Sequence, residues 1–297
     1  MVFNRLIQRD EILFLLLWCS GYIGAKYGLP HAGTFTLLFW RYVLVLVAAA
    51  AIITLRREWQ RPDIGVFITG FLAHFVWLVA ILKSFEFGIS AGAAALLAAM
   101  QPALTALLAP LFLGERNNWL QWAGIGVGFL GVVVFIGADQ TVTGAAWWVY
   151  LLPLLAAASL TFITIWERWR SARPACDMPI FTALFWQGLL TAALLLPLSL
   201  IYESLFYEVF AATWNGDLVF AVVWLGIVVS VLAYGLMFHL IRTRSATRVS
   251  ALQYFVPPVT MIIAWFVFVE GVTLNGMAGL AITMAGFWLM ARGEARQ

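Results

Sequence analysis

QPALTALLAPLFLGERNNWLQWAGIGVGFLG, residues 101–131, and VPPVTMIIAWFVFVEGVTLNGMAGLAITMAG, residues 256–286, are two versions of one phrase. Pro102, Glu115, Gly124 and Gly131 of the first recur as Pro257, Glu270, Gly279 and Gly286 of the second, each 155 positions on. Upstream, Ser90-Ala91 matches Ser245-Ala246 at the same offset, and FTLLFW at 35–40 matches FTALFW at 181–186 at an offset of 146. Chance matches are easy in apolar sequence, but a shared offset held across several segments is not. The chain is an internal duplication, and its period is too long for a solenoid repeat.

Working outward from those phrases, the chain is apolar almost throughout. Of its 297 residues 64% are hydrophobic and 10% charged, with mean hydropathy +0.95. Soluble domains are nearer half apolar and a quarter charged, so lipid is the expected solvent. A bilayer core takes about 20 apolar residues per helix. Cutting at charges and at Pro, Gly and Asn clusters gives ten crossings: 12–29, 34–55, 64–83, 91–113, 120–136, 147–166, 179–201, 218–240, 249–269 and 274–290. Short alternating strands are missing, which disfavours a β-barrel. No small-residue cleavage site closes the first run, so it is expected to be a crossing and not a removable signal.

Charge tests this count. With a cytoplasmic N-terminus, 14 of the 17 Lys and Arg fall in inside segments, among them Arg5, Arg9, Arg56, Arg57, Arg61, Arg116, Arg168, Arg170, Arg173, Arg242, Arg244, Arg248, Arg292 and Arg296. The outside loops carry Glu86, Asp139, Glu203, Glu208 and Asp217 and no arginine. Such sorting predicts a multi-pass protein of the cell inner membrane with both termini cytoplasmic. Each repeat holds five crossings, an odd number, so the second (141–297) enters the membrane opposite to the first (1–140). The predicted fold is all-α, ten transmembrane helices as two inverted five-helix repeats. Carriers use this plan, with a solute site near the midplane between the repeats.

Polar and aromatic side chains at depth are expected to face a cavity or a partner. Counting inward from span ends gives Trp18, Ser20 and Tyr22 on the first helix, Arg41 on the second, His74 and Trp77 on the third and Gln101 on the fourth. The second repeat adds Ser159, Trp186, Gln187, Tyr234, Gln253 and Tyr254 as further substrate-binding candidates. Arg41 could grip a carboxylate through two parallel hydrogen bonds, and His74 could serve as donor, acceptor or proton carrier. Pro102, Pro257 and Pro258 fall within helices four and nine, where proline removes a backbone bond and bends the chain; they are the candidate hinges. Lys26, near the outer end of the first helix, is expected to reach for the interface. Glycines Gly124, Gly128 and Gly131, and then Gly276, Gly279 and Gly286, place helices five and ten at the periphery as packing or dimer helices. The expected assembly is therefore a monomer or a homodimer through those two helices.

Several classes are excluded. No nucleotide-binding GxxxxGK[ST] loop, HExxH or GxSxG is present, and no pair of mid-span acids suggests intramembrane catalysis. Catalytic residues, metal ligands, cofactors and a nucleic-acid partner are all expected to be none; Cys19 and Cys176 lack ligand spacing. The partners are a small-molecule substrate and the lipid bilayer.

Trp18-Cys19-Ser20-Gly21, Arg41-Tyr42 and Pro102…Leu113-Gly114-Glu115, together with the five-plus-five plan, resemble the drug/metabolite transporter superfamily of EamA type. The second copy departs from the pattern with Pro257-Pro258 and with Val269-Glu270-Gly271. The resemblance implies an exporter of metabolites, with aromatic and other amino acids a recurrent cargo. Another amphipathic metabolite, a drug or a flipped lipid is the alternative.

Overall fold

The structure, a computed structural model, describes residues 8–113, 117–171, 178–203, 214–243, 252–271 and 273–294. Among the described residues it is helical without a strand. The crossings are α1 (Arg9–His31), α2 (Thr34–Arg56), α3 (Ile64–Glu86), α4 (Ala91–Phe112), α5 (Trp119–Thr143), α6 (Trp147–Trp166), α7 (Ile180–Glu203), α8 (Gly216–Met237), the shorter α9 (Gln253–Phe268) and α10 (Leu274–Gly293). They make two five-helix repeats of opposite orientation. Successive crossings alternate in direction, so the start of α1 and the end of α10 share one end of the bundle, here the terminal end. The α1–α2 connection lies at the other, the far end.

In hydrocarbon each backbone group must bond within its own segment, which helices achieve. Their first turns are closed by short polar side chains. Asp63 accepts from Val66 N, Ser90 from Ala93 N, Asn215 from Leu218 N, and Asn118 exchanges bonds with Gln121. Each satisfies an amide that the first turn would otherwise leave open.

The structure moves some expected boundaries. α5 runs to Thr143, so Asp139, expected in a loop, is buried in its last turns and accepts from the Tyr150 hydroxyl at 2.6 Å. α3 and α7 likewise run on to Glu86 and Glu203. Arg5, Arg116, Arg173, Arg244, Arg248, Arg296, Glu115, Glu208, Cys176, Ser245 and Ala246 lie outside the described residues, as do the side chains of Arg168, Arg170 and Arg242.

Around the candidate hinges the backbone is interrupted, where a bend in a continuous helix was expected. α4 consists of Ala91–Ala98 and Gln101–Leu113, with the break just before Pro102. α9 opens with a tight turn at Gln253–Phe255 and restarts at Val256–Phe268, with Pro257 in its first positions. A proline lacks a donor and clashes with the carbonyl four residues back. Restarting the helix puts it in a first turn, where no donor is needed. Both repeats use this device at matching places.

α5 and α10 meet along their glycines. A methyl group on Gly124 would lie 2.7 Å from Gly286 O, and one on Gly131 would lie 2.8 Å from Gly279 O. Gly124 and Gly131 are the repeat counterparts of Gly279 and Gly286, so the two contacts exchange under the pseudo-twofold relation of the halves. Of the two expected roles, packing or dimer helices, the structure shows the packing one: these glycine faces of helices five and ten meet each other within one chain, where small residues let backbones approach.

α3 and α8 share a different irregularity. Over Phe71–Val76 and Trp224–Ala233 their turns widen to bonds five residues apart; Trp77 N, for example, bonds to Leu72 O. Such bulges recur at functional sites.

Candidate functional site

A narrow cavity lies where α1, α2 and α3 of the first repeat meet α8 of the second. α1 presents Trp18, Gly21, Tyr22 and Ala25, spaced three and four apart and therefore on one face. α3 presents Trp77, Leu78, Ile81 and Leu82 in the same way; α2 contributes Arg41, and α8 Val229 and Tyr234. The space between them is tight, about 30 Å³, room for a water molecule or two, so a solute enters only as the walls part. Trp18 packs on Tyr234 across the repeat boundary with ring centroids 5.3 Å apart.

Arg41 is 4% exposed. Its Nε donates to Ser230 Oγ at 3.0 Å, and that hydroxyl donates to Leu225 O at 2.8 Å, five residues back along the widened turn of α8. The bulge thus turns a hydroxyl towards the cation. The guanidinium carbon lies 5.9 Å from the centroid of the Tyr42 ring. Among the described residues the ion pairs are Lys26–Glu270, His31–Asp217 and Lys83–Glu86, and no carboxylate is paired with Arg41.

His74, buried in the widened turn of α3, is in ring contact with Tyr234 at 6.1 Å. Its Nε2 meets Gln187 Oε1 at 3.0 Å and its Nδ1 meets the Tyr42 hydroxyl at 2.8 Å. An amide oxygen only accepts, so Nε2 carries the proton and Nδ1 accepts from the tyrosine. The chain Tyr42–His74–Gln187 joins α2 and α3 to α7 and fixes the wall beside Arg41.

The cavity brings together Trp18, Tyr22, Arg41, Trp77 and Tyr234 of the expected set, with His74 and Gln187 bonded next to it. The others go elsewhere. The Ser20 hydroxyl donates to Leu17 O at 2.6 Å and accepts from Trp224 Nε1 at 2.9 Å, tying α1 to α8. Gln101 Nε2 donates to Thr164 Oγ1 at 3.1 Å and its carbonyl accepts from Thr161, which joins α4 to α6; Ser159 bonds within α6 to Ala156 O. Gln253 and Tyr254 lie in the turn opening α9, and Tyr254 packs on Phe287 of α10 at 4.8 Å. Trp186, expected at the site, instead donates from Nε1 to Gln60 O at 2.9 Å beside the α2–α3 connection at the terminal end. The inventory missed Gly21, Ala25, Leu78, Ile81, Leu82 and Val229, because it sought polar and aromatic groups alone; the helical spacing from Trp18 and Trp77 picks out Gly21, Ala25 and Ile81.

The far end is bound by carboxylates. Glu270 pairs with Lys26 and also accepts from Ala91 N at 3.2 Å; Lys26 therefore meets a partner at the expected interface. Glu86 pairs with Lys83 and accepts from Thr34 N at 2.6 Å. Glu203 of α7 accepts from Phe35 N at 2.7 Å, Thr36 N at 2.8 Å and the Thr36 hydroxyl. Anions at helix N-termini meet both free amides and the positive end of the helix dipole. The Lys26–Glu270 and Glu203 ties join one repeat to the other.

Comparison with known proteins agrees with this architecture. The EamA-like transporter family matches the chain twice, over residues 12–137 and 147–292. An uncharacterized transporter of Bacillus subtilis is 28% identical, covering 94% of this chain and 89% of its own. A probable amino-acid metabolite efflux pump of Salmonella typhimurium is 26% identical, covering 94% and 92%. A probable terminal-alkyne amino-acid exporter of Streptantibioticus cattleyicolor is 27% identical over 95% and 92%. A solved crystal structure shares the fold with TM-score 0.64 at 21% identity, covering 97% of each chain. Two family matches, one to each half of a duplicated ten-helix bundle, place this chain in the EamA-like transporter family.

Proposed function

We propose that this chain is a secondary carrier of the cell inner membrane, with the terminal end cytoplasmic, that exports small metabolites, chiefly aromatic or other amino acids. The repeats, 1–140 and 141–297, rock about the cavity so that it opens to one side at a time. The observation that carries this reading is the cavity's make-up: aromatic walls and one buried guanidinium, set on the boundary between inverted repeats. Aromatic walls suit a ring or a long aliphatic chain, and the guanidinium suits a carboxylate. The names of the Salmonella and Streptantibioticus relatives point to amino-acid-derived cargo as well. Transport draws on a solute or proton gradient, since the sequence holds no nucleotide-binding loop.

Protein in proteoliposomes should move radiolabelled phenylalanine, tyrosine or tryptophan, assayed with and without a pH gradient. A broad amino-acid panel that stays put while another solute moves would refute the cargo. Trp77→Ala, which removes a cavity wall, should lower the transport rate by about tenfold or more, equivalent to roughly 1.4 kcal/mol. Trp119→Ala, at a side chain 71% exposed at the start of α5, should leave it unchanged. Equal effects of the two would contradict the placing of the path.

A further inference from the structure

Every polar side chain in the cavity wall can donate a hydrogen bond, and only the two tyrosines can also accept one. Arg41 uses Nε on Ser230, and its two terminal nitrogens have no protein partner among the described residues. The Trp77 indole N–H is buried and finds no acceptor among the described residues. Tyr22 and Tyr234 add hydroxyls, and among the described residues no Asp or Glu lines the space. A buried charge is costly unless it is paired, and so is a buried N–H without an acceptor. Both costs fall if the cargo brings the missing anion.

A carboxylate meets a guanidinium with two parallel hydrogen bonds. An α-ammonium group has no such counterpart here. It would face only the rings of Trp18, Tyr22, Trp77 and Tyr234, a weaker attraction, in the same small space as the Arg41 charge. Charge balance in the cavity therefore favours a cargo of net charge −1 over a zwitterion.

Resting on the carrier reading, we propose that the preferred cargo is an amphipathic monocarboxylate, its amine absent or acylated: a deaminated or N-acylated relative of an aromatic or large aliphatic amino acid. Arg41 takes the carboxylate, Trp77 Nε1 supplies a further donor, and the apolar part lies along α1 and α3.

The test is binding to the purified full chain, read by calorimetry, with four probes that share a benzyl group: 3-phenylpropanoate, N-acetylphenylalanine, phenylalanine and phenethylamine. The two monoanions should bind about tenfold or more tightly than phenylalanine, whose ammonium lacks a counter-ion beside Arg41, and phenethylamine, without a carboxylate, weakest. Arg41→Gln should abolish the preference for the monoanions, and Arg41→Lys should restore part of it. The ranking of the four probes on the unaltered protein stands as a test even if the variants do not fold. Phenylalanine or phenethylamine binding as tightly as 3-phenylpropanoate, no binding of any probe, or carboxylate binding unchanged in a folded Arg41→Gln protein would each overturn the proposal. Flux of 3-phenylpropanoate in proteoliposomes separates the two readings. Preferential binding without flux upholds the anion site and refutes carriage, whereas flux of phenylalanine with no preference for the monoanions refutes the anion site alone.

Discussion

Isoleucine at Gly131 or Gly279 should abolish folded protein, not merely slow transport. A Cβ at Gly131 would lie 2.4 Å from Thr283 N and 2.8 Å from Gly279 O, and one at Gly279 would lie 2.6 Å from Phe135 N. These neighbours are backbone and cannot rotate away, so the helices α5 and α10 would have to separate along their seam. Overfilling a packed core costs about 1–3 kcal/mol even where side chains yield, and backbone contact on this scale costs more. Against a total stability of about 5–15 kcal/mol, such a change removes most of the margin. Gly126 is the control: it lies on the same helix, and a Cβ there meets nothing within 4 Å. Fluorescence-detected size exclusion of tagged protein should show a monodisperse peak for Gly126→Ile and aggregate for Gly131→Ile and Gly279→Ile. Normal peaks for all three would contradict the glycine seam.

Glu203→Ala should be the second large loss. The carboxylate is 1% exposed and takes two backbone amides and a hydroxyl at the start of α2. Removing a helix cap costs about 0.5–2 kcal/mol, and hydrogen bonds to a charged group contribute about 1.5–3 kcal/mol. Together about 2–5 kcal/mol is expected, seen as a melting temperature lowered by several degrees. The effect reaches the cavity as well. Arg41 stands seven residues beyond Thr34, roughly 10 Å along the helix, so a loosened start of α2 displaces the guanidinium from Ser230. Glu203→Gln keeps one acceptor and should fall between. A melting temperature unchanged in Glu203→Ala would remove this carboxylate from the account of how α2 is held.

Much of the fold could be read from the sequence because lipid imposes a simple rule. A crossing must be long and apolar, and arginines sort the loops between crossings. The end of α5 escaped because Asp139 and Gln140 look like a loop, whereas Asp139 is satisfied within the bundle by Tyr150. The glycine faces of α5 and α10 were visible as small residues, but their partners were not, since nothing local tells an intramolecular seam from an oligomeric one. The cavity was harder still. In a soluble helix polar residues mark the outward face, but here the lipid side is as apolar as the core, so periodicity gives little direction. Counting depth found Trp18, Trp77 and Arg41, but Trp186 went to an acceptor at Gln60, a contact between segments far apart in sequence. The tie from Arg41 to Ser230 depends on the widened turn of α8, which no residue pattern announced.

The central claim is that the far end must part for solute to pass, and bridging it tests this most directly. The Lys26–Glu270 pair joins α1 of the first repeat to the end of α9 in the second. In protein with Cys19 and Cys176 replaced by alanine, Lys26→Cys and Glu270→Cys can be linked by a short, reducible bifunctional thiol reagent. Transport into proteoliposomes should stop when the link forms and return when it is reduced, while the unlinked double variant stays active. Linked protein that carries solute at the unlinked rate would contradict alternating access through this bundle.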